Sequence, residues 1–316
     1  AIKTREPIIR PKINENDDQQ YKDLTIYPLI TNGVEGAVIR IDDVTERVRM
    51  QETMVLTEKM LSIGGLAAGM AHEINNPLSI IAQSNQNARR RLSSDLEGNN
   101  KIANELNIDL EVLQAYLEDR GVLGFFDNIE SASRRSAEIV QNMLSFSSTT
   151  ASERESCAIQ DVVQDALKLA HSDYDLKKKH DYRNICINLS IPETLHKVSI
   201  CRVEIQQVFY NILKNAGQAL FDIKSEDFKP LIDITASEDE NFLKIQFTDN
   251  GPGVPKDHLS RILEPFFTTK APGVGTGLGL PVSYFIVVNR HQGKFLVESQ
   301  VGSGTTFTIC LPIKAK

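Results

Sequence analysis

The spacing of hydrophobic positions changes along the chain. Residues 21–43 alternate apolar and polar as strands do, through Leu24 and Ile26 and then from Val34 to Ile41, with Thr31-Asn32-Gly33 as a hairpin signal between the two runs. Two strands bury no core alone, so this stretch reads as the tail of a domain whose start is missing. From Asp43 onward the period lengthens. Val44, Val48 and Val55 fall at helical spacing behind a candidate cap at Asp43 or Thr45. Ile63, Ala67, Met70, Ile74 and Ile81 carry one apolar stripe onward, and Ile129, Ala132, Ser136, Val140 and Met143 repeat it on a second helix. The two predict an antiparallel hairpin whose apolar face is too wide to bury by itself. Joining two hairpins into a four-helix bundle solves that problem, so the pattern predicts a homodimer.

Between the hairpin arms, Ile102, Leu106, Leu110, Leu113 and Leu117 predict one further amphipathic helix, ending near Arg120-Gly121. Its apolar face is expected to pack on the bundle in preference to a partner. Ser147 to Ser156 is small and polar, as a linker would be. Helical patterns at 161–171, 202–221 and 281–290 then interleave with strand-like runs at 184–191, 231–237, 242–248, 294–299 and 305–311. The fold class is therefore α+β and multidomain: a tail of strands over 1–43, a helical hairpin forming a dimeric four-helix bundle within 44–150, and an α/β sandwich over 151–316.

Composition narrows the classes without choosing among them. The 316 residues are enough for two or three domains, and 41% apolar with 24% charged residues is ordinary for a soluble globular chain. A net charge of −7 argues against nucleic acid, since Arg89-Arg90-Arg91 and Lys177-Lys178-Lys179 are short clusters of the kind solvated helix faces carry. The four Cys (157, 186, 201 and 310) form no C-x-x-C pair, which fits reduced, mostly buried thiols of a cytoplasmic protein. No apolar run is long enough to span a membrane. The chain opens on Ala1-Ile2-Lys3, without a start Met or a signal-peptide pattern, and so reads as a cytoplasmic part of something longer, with or without a membrane anchor upstream.

Chemistry gathers in the C-terminal third. Asn211 and Asn215 lie one turn apart on the 202–221 helix and share a face. Asn has poor helix propensity, so a pair at that spacing suggests that stability was given up for oxygen ligands, which a hard cation such as Mg²⁺ accepts together with phosphates. Asp249-Asn250-Gly251-Pro252-Gly253 follows a strand and by itself is turn chemistry. Gly273, Gly275, Gly277 and Gly279 alternate ahead of an apolar helix, a loop whose backbone can approach phosphates. It is neither a P-loop nor a dinucleotide fingerprint.

Taken together and in this order, these segments resemble the ATP-binding domain of sensor histidine kinases, a branch of the gyrase/Hsp90/MutL-type ATPases. Asn211 to Ala219 is similar to the family's N box, Asp249 to Gly253 to its first glycine box, and Glu264-Pro-Phe-Phe-Thr-Thr-Lys270 to its F box. Gly273 to Leu280 is similar to the second glycine box, and Gly302 to Phe307 to the final glycine motif. The resemblance implies ATP and Mg²⁺ as cofactors. It puts Mg²⁺ on Asn211, phosphates beside Asn215, and the adenine amino group on Asp249 with Gly251 and Gly253 around it. Gly275, Gly277 and Gly279 would form the lid, and Lys270 would reach the γ-phosphate.

Ala71-His72-Glu73-Ile74-Asn75-Asn76-Pro77-Leu78 begins like a zinc-protease helix, but that motif needs a second His at position 76, where this chain has Asn. His72 is two residues from both Met70 and Ile74, about 200° around the helix from each, and so faces away from the stripe. The segment resembles the H box of histidine kinases. By that resemblance His72 is the phosphoacceptor, Glu73 takes or orients its proton, and Asn76 with Glu73 can position water for dephosphorylating a response regulator. Pro77 is expected to bend the helix just past the site. The strands before Asp43-Val44-Thr45-Glu46-Arg47 resemble the close of a PAS sensor domain. The function expected is an ATP-dependent protein-histidine kinase that passes phosphate to an Asp of a response regulator. The rivals are a phosphatase-biased or silent dimeric scaffold, and a non-kinase ATPase of the same superfamily.

Overall fold

A computed structural model describes residues 1, 6–13, 20–31, 34–147, 153–172, 184–223, 225, 227–270 and 275–313. It comprises two compact units, Ala1–Lys59 and Met60–Lys316. The first holds an antiparallel sheet of β1 (Ile8–Ile13), β2 (Lys22–Thr31) and β3 (Val34–Asp43), paired in that order. Alternation predicted β2 and β3, whereas β1 is additional. Pro11 lies within β1 and Lys12 takes φ 55°, so its pairing with β2 slips between Arg10 and Ile13 as a bulge would make it. The Asn32-Gly33 turn lies outside the described residues. The long helix α1 (Thr45–Leu92) starts where Asp43 Oδ1 accepts from Thr45 N at 2.9 Å, while Thr45 Oγ1 accepts from Tyr21 N. Of the two candidate caps, Asp43 holds the helix and Thr45 ties it to the strand.

In the second unit, α1 runs antiparallel to α4 (Val122–Ser147). Facing α4, α1 presents small residues. Gly64, Ala67 and Ala71 are buried on α1, and Val140 and Phe146 on α4. A Cβ on Gly64 would lie 2.6 Å from Ser147 N, so only glycine allows this approach. Only part of the predicted stripe faces α4. Met70 and Ile81 stay exposed, as do Leu66, Ile80, Phe125 and Ile129. Large side chains would hold the helices apart, so the small residues take the close face. Asn85 is buried in the seam with Nδ2 on Phe126 O at 2.9 Å, and Arg89 meets Asp127 at 2.7 Å.

The helix expected between the arms is two. α2 (Glu97–Glu105) and α3 (Leu110–Asp119) are separated where Asn107 takes φ 56° and Asp109 Oδ1 accepts from Glu111 N and Val112 N. A left-handed Asn followed by an Asp cap stops one helix and starts the next. Leu110, Leu113 and Leu117 are half-buried on a helix that packs against α4, while Ile102, Leu106, Val112 and Tyr116 remain exposed. The expected packing on the bundle is thus made by α3 through one face only.

Beyond the segment 148–152, which is not described, β4 (Glu155–Cys157) takes the end of the expected linker and pairs with β6 (Val198–Ile200). Helix α5 (Ile159–Ser172) and β5 (Cys186–Ser190) precede α6 (Arg202–Phe221), which spans the predicted bounds. β7 (Leu231–Glu238) and β8 (Phe242–Asp249) follow, then a short α7 (Lys256–Leu259) and α8 (Gly279–Phe285) with a π-helical turn to Arg290. β9 (Lys294–Gln300) and β10 (Gly304–Pro312) complete a sheet of order β5-β7-β8-β10-β9, antiparallel except for β5 with β7. Ile232 and Ile234 of β7, and Leu243, Ile245 and Phe247 of β8, point inward against α6, whose Ile205, Val208, Phe209, Ile212 and Leu213 are fully buried. The Phe209 and Phe247 rings meet at 5.1 Å. This is the predicted α/β sandwich, one layer of helices on one sheet. No helix among the described residues is long and apolar enough to cross a membrane.

Candidate active site

Asp249 ends β8 in phase with Leu243, Ile245 and Phe247, so alternation carries a carboxylate onto the buried face of the sheet. Burial raises its pKa, against the opposing pull of the Gly251 and Thr305 backbone N–H groups. Gly251 N donates to Asp249 Oδ1 at 2.9 Å, and a Cβ on Gly251 would stand 2.7 Å from that oxygen. Gly253, at φ +70°, backs onto Gln300 O, where a Cβ would lie at 2.2 Å. Asn250 pins the turn from outside, accepting from Leu231 N and donating to Lys229 O, both at 2.9 Å. Gly304 backs onto the main chain of Asp249, since its φ of +109° and a Cβ 1.9 Å from the Asp249 backbone carbonyl oxygen admit no other residue. Gly304 and Thr305 belong to the final glycine motif, but no role was expected of them beside Asp249. What brings them there is the register of β10 on β8, which sets Thr305 opposite Asp249 and leaves no local mark in the sequence.

Helix α6 is the shared floor. Ala219 Cβ would be 3.7 Å from a Cβ on Gly251, which joins α6 to the Asp249 turn. One side of α6 faces α8. Asn211 Nδ2 donates to Gly279 O and to Ser283 Oγ, each at 3.2 Å, which leaves the amide oxygen as the group Asn211 offers the site. Ser283 and Gly279 are tied in turn by a 2.8 Å bond. One turn on, Asn215 Oδ1 accepts from Lys270 Nζ at 3.2 Å, and Gln218 Oε1 accepts from the same ammonium. Lys270 is thereby seated on α6, and burial lowers its pKa against the pull of Asp222. Gln218 was not among the expected site residues, although it lies within the N box.

The lid glycines pack on the F box. A Cβ on Gly275 would stand 2.8 Å from Thr268 Oγ1 and 3.1 Å from Lys270 Cδ. Gly277, at φ +66°, gives its carbonyl to Phe266 N at 2.9 Å, and a Cβ there would strike Phe266 C at 2.5 Å. Gly273 lies outside the described residues. Asn211, Asn215, Lys270, Gly275, Gly277 and Gly279 therefore form one surface, continuous through α6 with Asp249, Gly251 and Gly253. Neutral amide oxygens and an ammonium beside glycine backbone are a set that fits a polyphosphate and a hard cation that keeps most of its own water.

His72, Glu73 and Asn76 sit on α1, all exposed. Ala71 beneath them is buried, so the helix presents the His-Glu pair outward, as the angular position of His72 requires. Helix α1 continues through Pro77, whose missing N–H leaves the Glu73 carbonyl without its intrahelical partner. The hairpin meets the sandwich at its base. Phe146 packs edge-on to Phe285 at 5.6 Å, and Arg290 joins Ser145 O at 2.8 Å while pairing with Glu204.

Residues 201–315 match the family described as histidine kinase-, DNA gyrase B-, and HSP90-like ATPase. The chain is 30% identical over 272 residues to Sporulation kinase E of Bacillus subtilis, a match covering 86% of this chain and 31% of that one. It is 32% identical over 278 residues to the signal transduction histidine-protein kinase AtoS of Escherichia coli, covering 88% of this chain and 39% of that one. Among solved structures, full-length ShkA in complex with AMPPNP superposes with a TM-score of 0.56 at 17% identity, over 79% of this chain and 46% of that one, a likeness of fold. Residues 201–315 thus carry the ATP-binding domain of that family, and the chain is similar over most of its length to two-component sensor histidine kinases. It spans less than half the length of either of these two curated relatives.

Proposed function

We propose that this chain is an ATP-dependent protein-histidine kinase that phosphorylates its own His72 and passes the phosphoryl group to an Asp of a response regulator. The observation that carries the reading is the exposed His72-Glu73 pair on a hairpin packed, within one compact unit, onto the ATP-binding sandwich. A non-kinase ATPase has no use for that pair, and a silent scaffold has none for a buried Asp249 set among glycines that no side chain could replace. Asp249 accepts from the adenine amino group, with Gly251, Gly253 and Gly304 shaping its surroundings. Asn215 and Lys270 lie against the phosphates, under a lid of Gly275, Gly277 and Gly279. Asn211 offers Mg²⁺ its amide oxygen, and the bound cation would neutralise phosphate charge.

In the transfer, a neutral imidazole nitrogen of His72 attacks the γ-phosphorus. An N–P bond forms, the bond to the β,γ-bridging oxygen breaks, and ADP leaves with that electron pair. Glu73 takes or orients the proton on the other ring nitrogen. Asn76, exposed one turn beyond His72, supports a second activity on the same face, positioning water to dephosphorylate the regulator. The exposed Leu66, Met70, Ile80, Ile81, Phe125 and Ile129 support pairing of two hairpins as a homodimer. Exposed apolar residues Tyr27, Val38, Ile39 and Ile41 on β2 and β3 support residues 1–43 as the end of a PAS-like sheet, with the hairpin over 44–150 and the ATP-binding domain over 151–316. An ATP-consuming reaction places this part of the protein in the cytoplasm.

The test is incubation with γ-labelled ATP and Mg²⁺. The wild type is expected to take up acid-labile, base-stable label, and His72→Gln to take up none while still binding ATP. Label persisting in His72→Gln overturns the assignment. A wild type that binds ATP and never labels favours the scaffold or the non-kinase ATPase.

A further inference from the structure

One arginine of the hairpin reaches the lid. Arg135, half-buried on α4, donates from Nη2 to Gly275 O at 3.2 Å across 140 positions of chain. Gly275 is seated on the Lys270 stem, and the Lys270 ammonium is held by Asn215 and Gln218 of α6. A run of contacts thus leads from the hairpin through the lid to the floor of the ATP-binding surface. The hairpin's register says where that run begins. Asn85 meets Phe126, Arg89 meets Asp127 and Gly64 backs onto Phe146 and Ser147, so the arms are antiparallel, and Arg135 falls opposite residues 76–81. That is about one to two turns beyond His72.

We infer that Arg135 is a positioning residue for phosphorylation of His72: by holding the Gly275 carbonyl it fixes the lid, and with it Lys270, against the hairpin close to the phosphoacceptor. The inference rests on the kinase reading above. Arginine suits the task, since its guanidinium keeps its charge at every working pH and presents several donors in a rigid plane. Phosphoryl transfer tolerates little misplacement of its partners, and loss of one charge-assisted hydrogen bond is felt chiefly in the rate of the step it aligns.

The experiment compares wild type with Arg135→Gln, Arg135→Lys and, as a control, Arg134→Gln, whose arginine is exposed on the same helix. Labelling of His72 is measured across ATP concentrations, nucleotide affinity by calorimetric titration, and hydrogen exchange at the lid amides of residues 275–278. Arg135→Gln is expected to lower kcat about tenfold or more with little change in KM or ATP affinity, and to speed lid exchange. Arg135→Lys should recover part of the rate, and Arg134→Gln all of it. Transfer from His72 phosphorylated beforehand with phosphoramidate should proceed at the wild-type rate in each variant. Wild-type or faster labelling by Arg135→Gln overturns the inference, as does a loss of rate matched by an equal loss of ATP affinity. If Arg135→Gln melts early, Arg135→Lys decides, since a lysine variant that folds and shows neither slower labelling nor faster lid exchange is equally fatal. A wild type without label on His72 sinks the kinase reading instead, and the positioning role with it.

Discussion

The two halves of the larger unit solve opposite problems. The sandwich hides its chemistry: α6 alone buries Ile205, Val208, Phe209, Ile212 and Leu213 completely, and the same packing carries Asp249 inward. The hairpin displays its chemistry. Its seam is closed by Gly64, Ala67, Ala71, Val140 and Phe146, while His72, Glu73 and Asn76 stand in solvent. A group that must read one nucleotide gains from a dry, rigid setting, where an unpaired amine is rejected and a paired one is held. If His72 is the phosphoacceptor proposed above, exposure serves it, since it must meet two partners in turn. Each half carries a cost of its kind, an ionisable carboxyl out of water in one and bare apolar surface in the other.

Neutralising the buried carboxyl gives the largest expected effect. Asp249→Asn replaces an acceptor with a group that also donates, and ATP affinity should fall about ten- to a hundredfold, read by calorimetric titration. Burial raises the Asp249 pKa, so the folded chain binds a proton that the unfolded chain has released. Stability from this group is therefore present at low pH and declines as pH rises from the ordinary aspartate value through the raised one. The variant, free of that cost at neutral pH, should melt no lower than wild type. ATP affinity of the wild type should move the other way, weakening as pH falls into the same window while Asp249→Asn stays flat. A flat wild-type profile would separate Asp249 from adenine recognition.

Apolar exposure in the hairpin can be broken next. Met70→Glu with Ile81→Glu places charges on its open face, and light scattering should show dimers giving way to monomers with the ATP-binding domain still folded. Unchanged dimers would put the interface elsewhere. The smallest effect is expected at Arg89→Ala, which removes ion pairs to Asp127 and Glu130 at 2.7 and 3.5 Å from a side chain 41% exposed. Solvent screening limits the loss to about 1 kcal/mol or less by denaturant unfolding. A larger loss would mean that this end of the hairpin is held as firmly as the sandwich.

Much of this was legible without coordinates, for local reasons. The bounds of α6 follow from a helical period that its neighbours do not interrupt, and the five sheet strands from runs of alternating or continuous apolar residues between turn signals. The break between α2 and α3 was legible in principle, since Asn107 and Asp109 are a stop and a cap, but the leucine period runs through them and won. β1, β4 and β6 escaped because short strands with a Pro or few apolar residues carry little signal. The stripe on α1 was legible but its division was not: Gly64, Ala67 and Ala71 take the face towards α4 because close helix packing favours small residues, and Met70 and Ile81 stay open.

The linear order of residues determined by itself what depends on neighbours in the chain: the longer helices, the main strands of the sheet, the five motifs and the outward angle of His72. Tertiary structure alone decided what depends on residues far apart. It enclosed Asp249 between Gly251 and Gly304, gave Lys270 to Asn215 and Gln218, and brought Arg135 to Gly275 across 140 positions. No local periodicity marks such pairs, because a lone Arg or Gln on a helix face looks the same whether its partner is water or a backbone carbonyl folded back from the far end of the chain.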